Sequence, residues 1–319
     1  MYYIGVDLGG TNIAVGIVNE NGELLRGGSV PTGADREADL IIKDMAELCK
    51  KLIAEEGLSV ADIEYAGIAT PGSANSDTGV VAYANNLPFL NYPLAAKLQE
   101  FLGVKKVLIE NDANAAAKGE AACGAAKGFK DSVMITLGTG LGGGIIIDGK
   151  LYYGRSGFAG EFGHVIVERD GRECGCGRKG CLETYVSATG IKRTAFELMA
   201  KMSAPSKLRD IAFGDFDASM ISAAAEQGDP IALEAFRFTG EMLGRALADV
   251  VTVTSPEAIF LFGGLSKAGK LIFEPTQWYM EESMLFVFKN KVKLLPSGIQ
   301  GKNAAILGAS ALIWQEENK

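Results

Sequence analysis

The chain opens with YYIGVDLGGTNIAVGIVNENGELL, residues Tyr2–Leu25. Two apolar runs rich in β-branched residues, Tyr2–Leu8 and Ile13–Val18, flank the glycine-rich turn Gly9–Asn12. A second turn follows at Asn19–Gly22. Apolar runs joined by Gly and Asn turns are typical of antiparallel strands, so this stretch predicts a β-meander.

The same pattern returns in the middle of the chain. Ser132–Leu137 predicts a strand, Gly138–Gly144 a glycine-rich turn, and Ile145–Asp148 a second strand that leads into the hairpin signal Asp148-Gly149. Both halves therefore open with strand, glycine-rich turn and strand. We predict an internal duplication of one α/β unit, with a ligand bound in the cleft between the two copies.

Further strands and helices alternate after each opening. Apolar residues recur at helical spacing between Ala38 and Leu52, and Gly57 is placed to end that helix. The other predicted helices are Leu94–Leu102, Ala113–Ala125, Ile231–Val253 and a last helix over about 303–315. The other predicted strands are Ile63–Thr70, Val107–Glu110 and Ala258–Phe262. This alternation predicts mixed sheets with helices packed on them.

Length and composition restrict the class of protein. A chain of 319 residues exceeds the usual size of one hydrophobic core, so two domains are expected. A net charge of −8 argues against nucleic acid as the main partner. No apolar run reaches the ~18 residues of a membrane span, and a strand pattern follows Met1 directly instead of a signal peptide. We expect a cytoplasmic protein.

One segment, GEFGHVIVERDGRECGCGRKGCLE at Gly160–Glu183, concentrates the metal-binding residue types. It holds the only histidine, His164, and three of the five cysteines, Cys174, Cys176 and Cys181. This Cys₃His set fills the four positions of a structural zinc site. Disulfides are the alternative, but an odd cysteine count without an export signal favours free thiols.

Two carboxylates bracket this set of ligands. Glu161 precedes the histidine by three residues, and Glu183 follows the last cysteine by two. The spacing suggests that the metal folds a loop and thereby directs both acids towards a ligand.

The two glycine-rich turns are candidates for phosphate binding, because exposed N–H groups in such turns form anion sites. The second turn matches G-x-G-x-x-G at Gly138, Gly140 and Gly143, but a strand follows it, whereas a dinucleotide site needs a helix. Each turn alone is more often a plain hairpin. Their equivalent positions in a duplicated unit favour phosphate. Gly263-Gly264, after a strand, indicates either a helix entry or a nucleoside contact.

The segment Glu110–Asn114 contains a candidate general base. Asp112 is either a helix N-cap or the base, and the two interpretations stay open on the residues alone. The one histidine is assigned to zinc, so a base for a hydroxyl group must be a carboxylate. Asn111 is placed to hold a substrate hydroxyl, and Asp7 to hold magnesium or its water shell.

Six motifs in this order resemble the ROK proteins (repressors, open reading frames, kinases) of the actin-like ATPase superfamily. They are DLGGTN at Asp7–Asn12, ENDANAAA at Glu110–Ala117, LGTGLGGG at Leu137–Gly144, GEFGH at Gly160–His164, CGCGRKGCLE at Cys174–Glu183 and FGG at Phe262–Gly264. The resemblance covers essentially the whole chain, and GCLETYVSATGI at Gly180–Ile191 is most similar to bacterial glucokinases. It implies a two-lobed α/β fold of the actin-like ATPase (ribonuclease H-like) type. It also implies transfer of the ATP γ-phosphate to the 6-hydroxyl of glucose.

The resemblance also implies a role for each motif residue. Asp112 is expected to be the catalytic base, and His164 to serve both the zinc and the sugar. The expected sugar contacts are Gly72, Asn86, Asn111, Asp112, Glu161, His164 and Glu183. The expected nucleotide and phosphate contacts are Asp7, Gly9, Gly10, Thr11, Asn12, Gly138, Thr139, Gly140, Gly263 and Gly264. The expected zinc ligands are His164, Cys174, Cys176 and Cys181.

The same resemblance implies how the molecule is organised and which alternative functions have to be considered. Residues 1–115 with 302–319 are expected to form the smaller lobe and residues 116–301 the larger, and the chain to form a homodimer that uses ATP, Mg²⁺ and zinc. The alternatives are a kinase for N-acetylmannosamine, N-acetylglucosamine or fructose, and a sugar-responsive repressor. A repressor needs a basic DNA-binding element ahead of the first strand. In this sequence the first strand is predicted to begin at Tyr2, which argues against a repressor.

Overall fold

A computed structural model describes residues 1–84, 86–299 and 304–312. The helices are α1 Ala38–Glu55, α2 Leu94–Leu102, α3 Asp112–Cys123, α4 Ala188–Lys201, α5 Ala218–Glu226, α6 Pro230–Thr254, α7 Lys270–Ser283 and α8 Ala304–Ser310. The strands are β1 Tyr2–Leu8, β2 Asn12–Asn19, β3 Leu24–Pro31, β4 Ile63–Thr70, β5 Ser73–Asn75, β6 Val80–Tyr83, β7 Leu90–Tyr92, β8 Val107–Asn111, β9 Ser132–Leu137, β10 Leu141–Ile147, β11 Lys150–Leu151, β12 Ala258–Phe262 and β13 Lys293–Pro296.

The chain forms two compact units. Unit 1 comprises Met1–Gly128, Ile146–Ala159 and the described part of 297–319, and unit 2 comprises Phe129–Ile145 and Gly160–Pro296. The division into lobes at residues 115 and 116 stays a prediction, and it would fall inside the continuous helix α3. Residues 302–303 and 313–319 of the predicted smaller lobe lie outside the described residues.

The main sheet of unit 1 has the strand order β3-β2-β1-β4-β8. β1 pairs with β2, and β2 with β3, in antiparallel register, so the predicted meander is confirmed. β1, β4 and β8 run parallel. The apolar positions predicted for α1 are buried, except the partly buried Ala38, and they pack against this sheet and α2. A small antiparallel sheet, β5-β6-β7, was not predicted.

The second five-stranded sheet has the order β11-β10-β9-β12-β13. β9, β12 and β13 run parallel, as β1, β4 and β8 do in the first sheet. Counted along the chain within each sheet, both orders read third, second, first, fourth, fifth. The predicted duplication of an α/β unit is therefore confirmed.

The two ends of β10 differ in how well they match the prediction. Asp148 and Gly149 have φ of 50° and 74° between β10 and β11, which fits the predicted hairpin turn. The prediction of a turn over Gly138–Gly144 is wrong, because β10 begins at Leu141 and takes in the last glycines.

Long helices complete unit 2. The predicted helix Ile231–Val253 is confirmed as α6, whose N-cap Asp229 accepts hydrogen bonds from Ile231 and Ala232. α6 packs against α7 and α4 over a large apolar core.

The last predicted helix is confirmed over α8, while residues 303 and 313–315 lie outside the described residues. Among the helices that the structure describes, none combines the length and the apolar character needed to cross a lipid bilayer.

Candidate active site and metal centre

Several predicted site residues of unit 1 meet where its parallel strands end. Asp7, near the end of β1, lies opposite Ala69 of β4, and Thr70, the last residue of β4, lies opposite Asn111 of β8. In parallel strands the carboxyl ends share one edge of the sheet, which is where open α/β sheets bind ligands. The sheet therefore brings Asp7, the start of the Gly72 loop and Asn111 to one edge.

The structure excludes the N-cap interpretation of Asp112, and its role as general base stays a prediction. The N-cap of α3 is Asn111, whose side-chain oxygen accepts hydrogen bonds from Ala113 N at 3.0 Å and Asn114 N at 3.2 Å. Asp112 is exposed in the first turn, and its Oδ1 accepts from Ala113 N at 2.8 Å. The positive end of a helix stabilises a carboxylate at this position. Asp112 is thus exposed in the first turn and does not serve as the N-cap.

Two contacts join the other predicted sugar-binding residues of unit 1 to this edge. Asn111 Nδ2 donates to the carbonyl oxygen of Gly72 at 3.3 Å. A Cβ on Gly10 would lie 3.3 Å from Cβ of Asn86. Gly72 and Asn86 therefore lie beside Asn111 and the first glycine-rich turn, respectively.

The first glycine-rich turn is held by a buried threonine. Gly9 N donates to Asn12 O at 3.0 Å and closes the turn. Thr32 donates from its hydroxyl to Gly9 O at 2.7 Å and from its N–H to Thr11 O at 2.9 Å. The side chain of Thr32 is fully buried. Nothing in the sequence distinguishes this threonine, because its partners lie more than twenty residues away.

The second glycine-rich turn is anchored by the start of α4. Gly138 N donates to Gly140 O at 3.0 Å. Ala188 N donates to Gly138 O at 2.9 Å, and the Thr189 hydroxyl donates to Thr139 O at 3.0 Å. The backbone of the turn is therefore held before any ligand arrives.

Gly263 lies against the same turn. It follows β12 with φ of 104°, and a Cβ there would lie 2.5 Å from the carbonyl oxygen of Leu137. Only glycine fits so close to the residue that precedes Gly138. Gly264 caps the 3₁₀ turn Leu265–Ala268 and has open space at its Cβ position.

The four predicted zinc ligands cluster in unit 2. The candidate ligand atoms of His164, Cys174, Cys176 and Cys181 all lie within 4.8 Å of one another. Cys174 Sγ lies 3.8 Å from His164 Nδ1, and Cys176 Sγ lies 3.6 Å from Cys181 Sγ. Zinc–sulfur bonds of about 2.3 Å place tetrahedral ligands about 3.8 Å apart. The set fits a tetrahedral zinc ion, and the sulfur atoms are too far apart for a disulfide.

The pKa of one thiol in this cluster, that of Cys176, is lowered. Burial opposes ionisation of Cys176, but hydrogen bonds from the backbone and guanidinium of Arg178 outweigh burial and lower the pKa of this thiol to about 6. Burial raises the pKa of Cys174, and it raises the pKa of Cys181 to about 12. Arg178 Nη2 also donates to His164 O at 3.0 Å. A cation beside thiolates is typical of a metal-binding cysteine site.

Glu183 connects the cysteine cluster to the second glycine-rich turn. Its Oε2 accepts a hydrogen bond from Leu141 N at 2.9 Å, and its Oε1 lies 3.9 Å from Cys174 Sγ. A Cβ on Gly140 would lie 2.2 Å from Glu183 Oε2. A side chain at this position would therefore displace the Glu183 carboxylate.

The loop that carries Glu161 packs onto β10. A Cβ on Gly143 would lie 2.3 Å from the ring of Phe162, and one on Gly163 would lie 2.2 Å from Leu141 O. This close approach explains why glycines continue into β10, where the sequence predicted a turn. Glu161 itself is exposed, immediately before the 3₁₀ turn Phe162–His164.

Comparisons with known proteins identify the family. The ROK family model matches residues 3–316. The chain belongs to the ROK family.

This ROK protein is similar to enzymes and to regulators. It is 37% identical over 323 residues to a glucokinase of Thermotoga maritima, covering 97% of this chain and 96% of the relative. A ROK family glucokinase from Streptomyces griseus, solved in complex with glucose and AMPPNP, is 35% identical with a TM-score of 0.84 and covers 99% of this chain and 100% of that chain. A ROK family transcriptional regulator, a homolog of E. coli MLC protein, is 28% identical with a TM-score of 0.87 and covers 98% of this chain but 78% of that chain. These similarities confirm the predicted actin-like ATPase fold.

Arg172 of this ROK protein, which lies between the candidate metal ligands His164 and Cys174, was missed by the sequence analysis. Arg172 pairs with Glu197 through two hydrogen bonds of 2.9 and 2.8 Å and donates to Thr184 O at 2.8 Å. Its guanidinium carbon lies 4.5 Å above the ring of Tyr185. Arg172 therefore ties the loop between the metal ligands to α4 and to the residues that follow Glu183. An arginine in a loop carries no sequence signal for such a role.

Proposed function

We propose that this ROK protein is an ATP-dependent glucokinase that transfers the γ-phosphate of ATP to the 6-hydroxyl of glucose. The proposal rests on the full-length similarity to the glucokinase solved with glucose and AMPPNP. The glucokinases of Thermotoga maritima and Streptomyces griseus are 37% and 35% identical to this chain and the regulator is 28% identical, which favours the kinase although they share the fold.

Asp112 is the general base of the proposed reaction. Its exposed carboxylate accepts the proton of the 6-hydroxyl as the hydroxyl oxygen attacks the γ-phosphorus and the bond to the ADP oxygen breaks. Asn111, fixed as the N-cap and bonded to Gly72, holds the hydroxyl in position. Phosphoryl transfer passes through a loose transition state, so positioning and charge neutralisation contribute more than covalent chemistry.

The proposed sugar contacts are Gly72, Asn86, Asn111, Glu161, His164 and Glu183. Carboxylate and amide side chains form hydrogen bonds with the hydroxyl groups of the sugar. An epimer would leave one of these buried groups without a partner, at a cost of about 1–3 kcal/mol. This difference selects glucose among hexoses.

The glycine-rich turns bind the phosphates of ATP. In the second turn the N–H groups of Gly138, Leu141 and Gly142 already donate within the protein, so those of Thr139 and Gly140 serve the nucleotide. In the first turn Gly9, Gly10, Thr11 and Asn12 take this role, and Gly263-Gly264 contact the nucleoside. Mg²⁺, when bound near Asp7, neutralises the charge on the phosphate oxygens.

The Cys₃His cluster holds a structural zinc ion. His164, Cys174, Cys176 and Cys181 supply four protein ligands, which leaves no position for a reactive water. Nδ1 of His164 lies on the thiol side, so Nε2 is the atom assigned to the sugar. The metal fixes the loop between Glu161 and Glu183.

The setting of the enzyme follows from its chemistry. We infer a cytoplasmic enzyme, because ATP is the proposed donor and zinc ligation requires reduced cysteines. We expect a homodimer and the two lobes predicted from the sequence, residues 1–115 with 302–319 and residues 116–301, because the family resemblance implies both.

A coupled ADP-release assay with Mg-ATP tests the proposal. The sugars are glucose, mannose, fructose, N-acetylglucosamine and N-acetylmannosamine. The proposal predicts the highest kcat/KM for glucose. A preference for an N-acetyl sugar would keep the reaction and change the substrate, and absence of turnover with every sugar would contradict a kinase.

A further inference from the structure

A buried carboxylate directly precedes the proposed catalytic segment and has no part in the mechanism above. Glu110, the penultimate residue of β8, is 1% exposed. Its Oε1 accepts hydrogen bonds from Asn111 N at 3.0 Å and Asn114 Nδ2 at 3.3 Å. Its Oε2 accepts from Tyr153 Oη at 2.5 Å and lies 3.3 Å from Lys118 Nζ. We call Glu110, Lys118 and Tyr153 the Glu110 network.

Stability alone does not account for this network. Lys118 is 7% exposed, so both partners of the ion pair are buried. A buried ion pair usually contributes no more stability than apolar residues of the same size, because both charges lose their hydration. Lys118 Nζ also lies 5.5 Å from the centre of the Tyr153 ring. Such a well-satisfied polar group in a core is best explained by the geometry that it imposes.

Glu110 contacts the residues on both sides of Asp112 in the sequence. Glu110 holds the N–H of Asn111 on one side and the side chain of Asn114 on the other. Ser76, which directly follows β5, also donates to Glu110 Oε2 at 3.4 Å. The first turn of α3 and the segment after β5 therefore both contact one carboxylate.

Tyr153 serves this carboxylate as a hydrogen-bond donor. Burial and the charge of Glu110 raise the pKa of Tyr153, so its hydroxyl keeps its proton at every physiological pH. The Tyr153 carbonyl oxygen also accepts from Ala159 N at 3.1 Å. Ala159 immediately precedes Gly160 and Glu161 in the chain. Tyr153 thus links the Glu110 carboxylate to Ala159, which directly precedes the segment Gly160–Glu183.

We propose that Glu110, Lys118 and Tyr153 position Asp112 and Asn111 for proton transfer without touching the substrate. The inference rests on the proposed function, since it concerns the base of that reaction. Its consequence is a specific loss of turnover when the network is weakened, while binding of ATP and the fold are retained.

A second buried carboxylate on α3 provides a matched control. Glu120 is also 1% exposed, and it accepts hydrogen bonds from Ser297 Oγ at 2.5 Å, Gly298 N at 2.6 Å and Ala125 N at 2.7 Å. It lies eight residues after Asp112, about 12 Å along the helix. A substitution of Glu120 removes a buried charge from the same helix without touching the residues around Asp112.

The experiment compares Tyr153→Phe, Glu110→Gln, the double variant and Glu120→Gln by kcat, KM for glucose, KM for ATP and Tm. We expect Tyr153→Phe to lower kcat ~10-fold and Glu110→Gln ~10²-fold with the KM for ATP unchanged. The double variant should be no slower than Glu110→Gln, because Tyr153 acts through Glu110. Glu120→Gln should lower Tm and leave kcat within about 2-fold of the wild type.

Each other outcome overturns a defined statement. The positioning role would be overturned if Tyr153→Phe turned over at the wild-type rate and Glu110→Gln turned over no more slowly than Glu120→Gln. The kinase proposal would then remain intact. Additive losses in the double variant would separate Tyr153 from the network. A wild type that phosphorylates no sugar would overturn both proposals. Tyr153→Phe keeps the ring and the ion pair, so it tests the role even if Glu110→Gln fails to fold.

Discussion

The Glu183 carboxylate accepts a hydrogen bond from the N–H of Leu141 at 2.9 Å, so an acid beside the candidate metal ligands is fixed to the start of β10, directly after the second glycine-rich turn. The other oxygen of the same carboxylate lies 3.9 Å from Cys174 Sγ. One side chain therefore links the candidate metal site, the candidate phosphate turn and the candidate sugar contacts. Changes at any of the three should be transmitted to the others through Glu183.

Two glycines of one turn should separate sugar binding from nucleotide binding. In Gly140→Ala the new Cβ would lie 2.2 Å from Glu183 Oε2, so the carboxylate must move and the KM for glucose should rise ~10-fold. In Gly138→Ala the Cβ meets no protein atom within 4 Å, so only a phosphate approaching the turn is obstructed and the KM for ATP should rise instead. Steady-state kinetics with each substrate varied measures both. Equal effects on the two KM values would contradict the assignment.

Loss of one cysteine ligand should release the metal and weaken sugar binding. Cys176→Ser removes one of four ligands, so the purified variant should contain less than about one-tenth of the zinc of the wild type. The loop between Glu161 and Glu183 then loses its anchor, and the KM for glucose should rise. Cys123→Ser, at an exposed cysteine outside the cluster, is the control and should keep full zinc. Normal glucose binding by a metal-free Cys176→Ser would show that the metal does not order the loop.

Arg172 should slow the release of the metal. Arg172→Lys keeps the charge but loses the two-point contact with Glu197 and the bond to Thr184, so chelators should remove zinc ~10-fold faster. Arg169→Lys, at an exposed position of the same loop, is the matched control. Zinc release to a chromogenic chelator gives the rate. Equal rates of zinc release from Arg172→Lys and Arg169→Lys would show that Arg172 does not slow the release.

A buried thiol outside the site should make the protein sensitive to alkali. Burial raises the pKa of Cys49 from 9.0 to about 12. The folded pKa lies above the unfolded one, so the contribution to stability is complete below pH 9 and disappears as the pH rises towards 12. The free energy of unfolding of the wild type should therefore fall more steeply over this range than that of Cys49→Ala. Parallel pH profiles from denaturant titrations would contradict a buried, protonated Cys49.

Most of the fold follows from local patterns. The strands Ile63–Thr70 and Ser132–Leu137 and the helix Leu94–Leu102 match their predicted bounds, because each is an apolar run or period between clear turn signals. The sheet β5-β6-β7 was missed, since strands of three or four residues show no alternation above chance. The glycines of β10 were misread as a turn, because the tertiary contact that leaves no room for a Cβ at Gly143, with the Phe162 ring, is not visible in the sequence.

The candidate site divides in the same way. The cysteine cluster was predictable because ligand type and spacing are local, and its four ligand atoms do converge. Thr32, Arg172 and the Glu110–Tyr153 pair were not predictable, since each acts on partners that are distant in sequence or hidden in a core. The roles assigned to the sugar and nucleotide contacts stay predictions.

The most direct test of the account follows the phosphate of ATP by ³¹P NMR in the presence of glucose, with wild type, Asp112→Asn and Asp215→Asn. The wild type and Asp215→Asn, an exposed loop variant, should form glucose 6-phosphate and ADP in equal amounts. Asp112→Asn should bind glucose normally by calorimetry and lose at least ~10²-fold in turnover. A phosphate ester at another hydroxyl, or near-normal turnover by Asp112→Asn, would contradict the account.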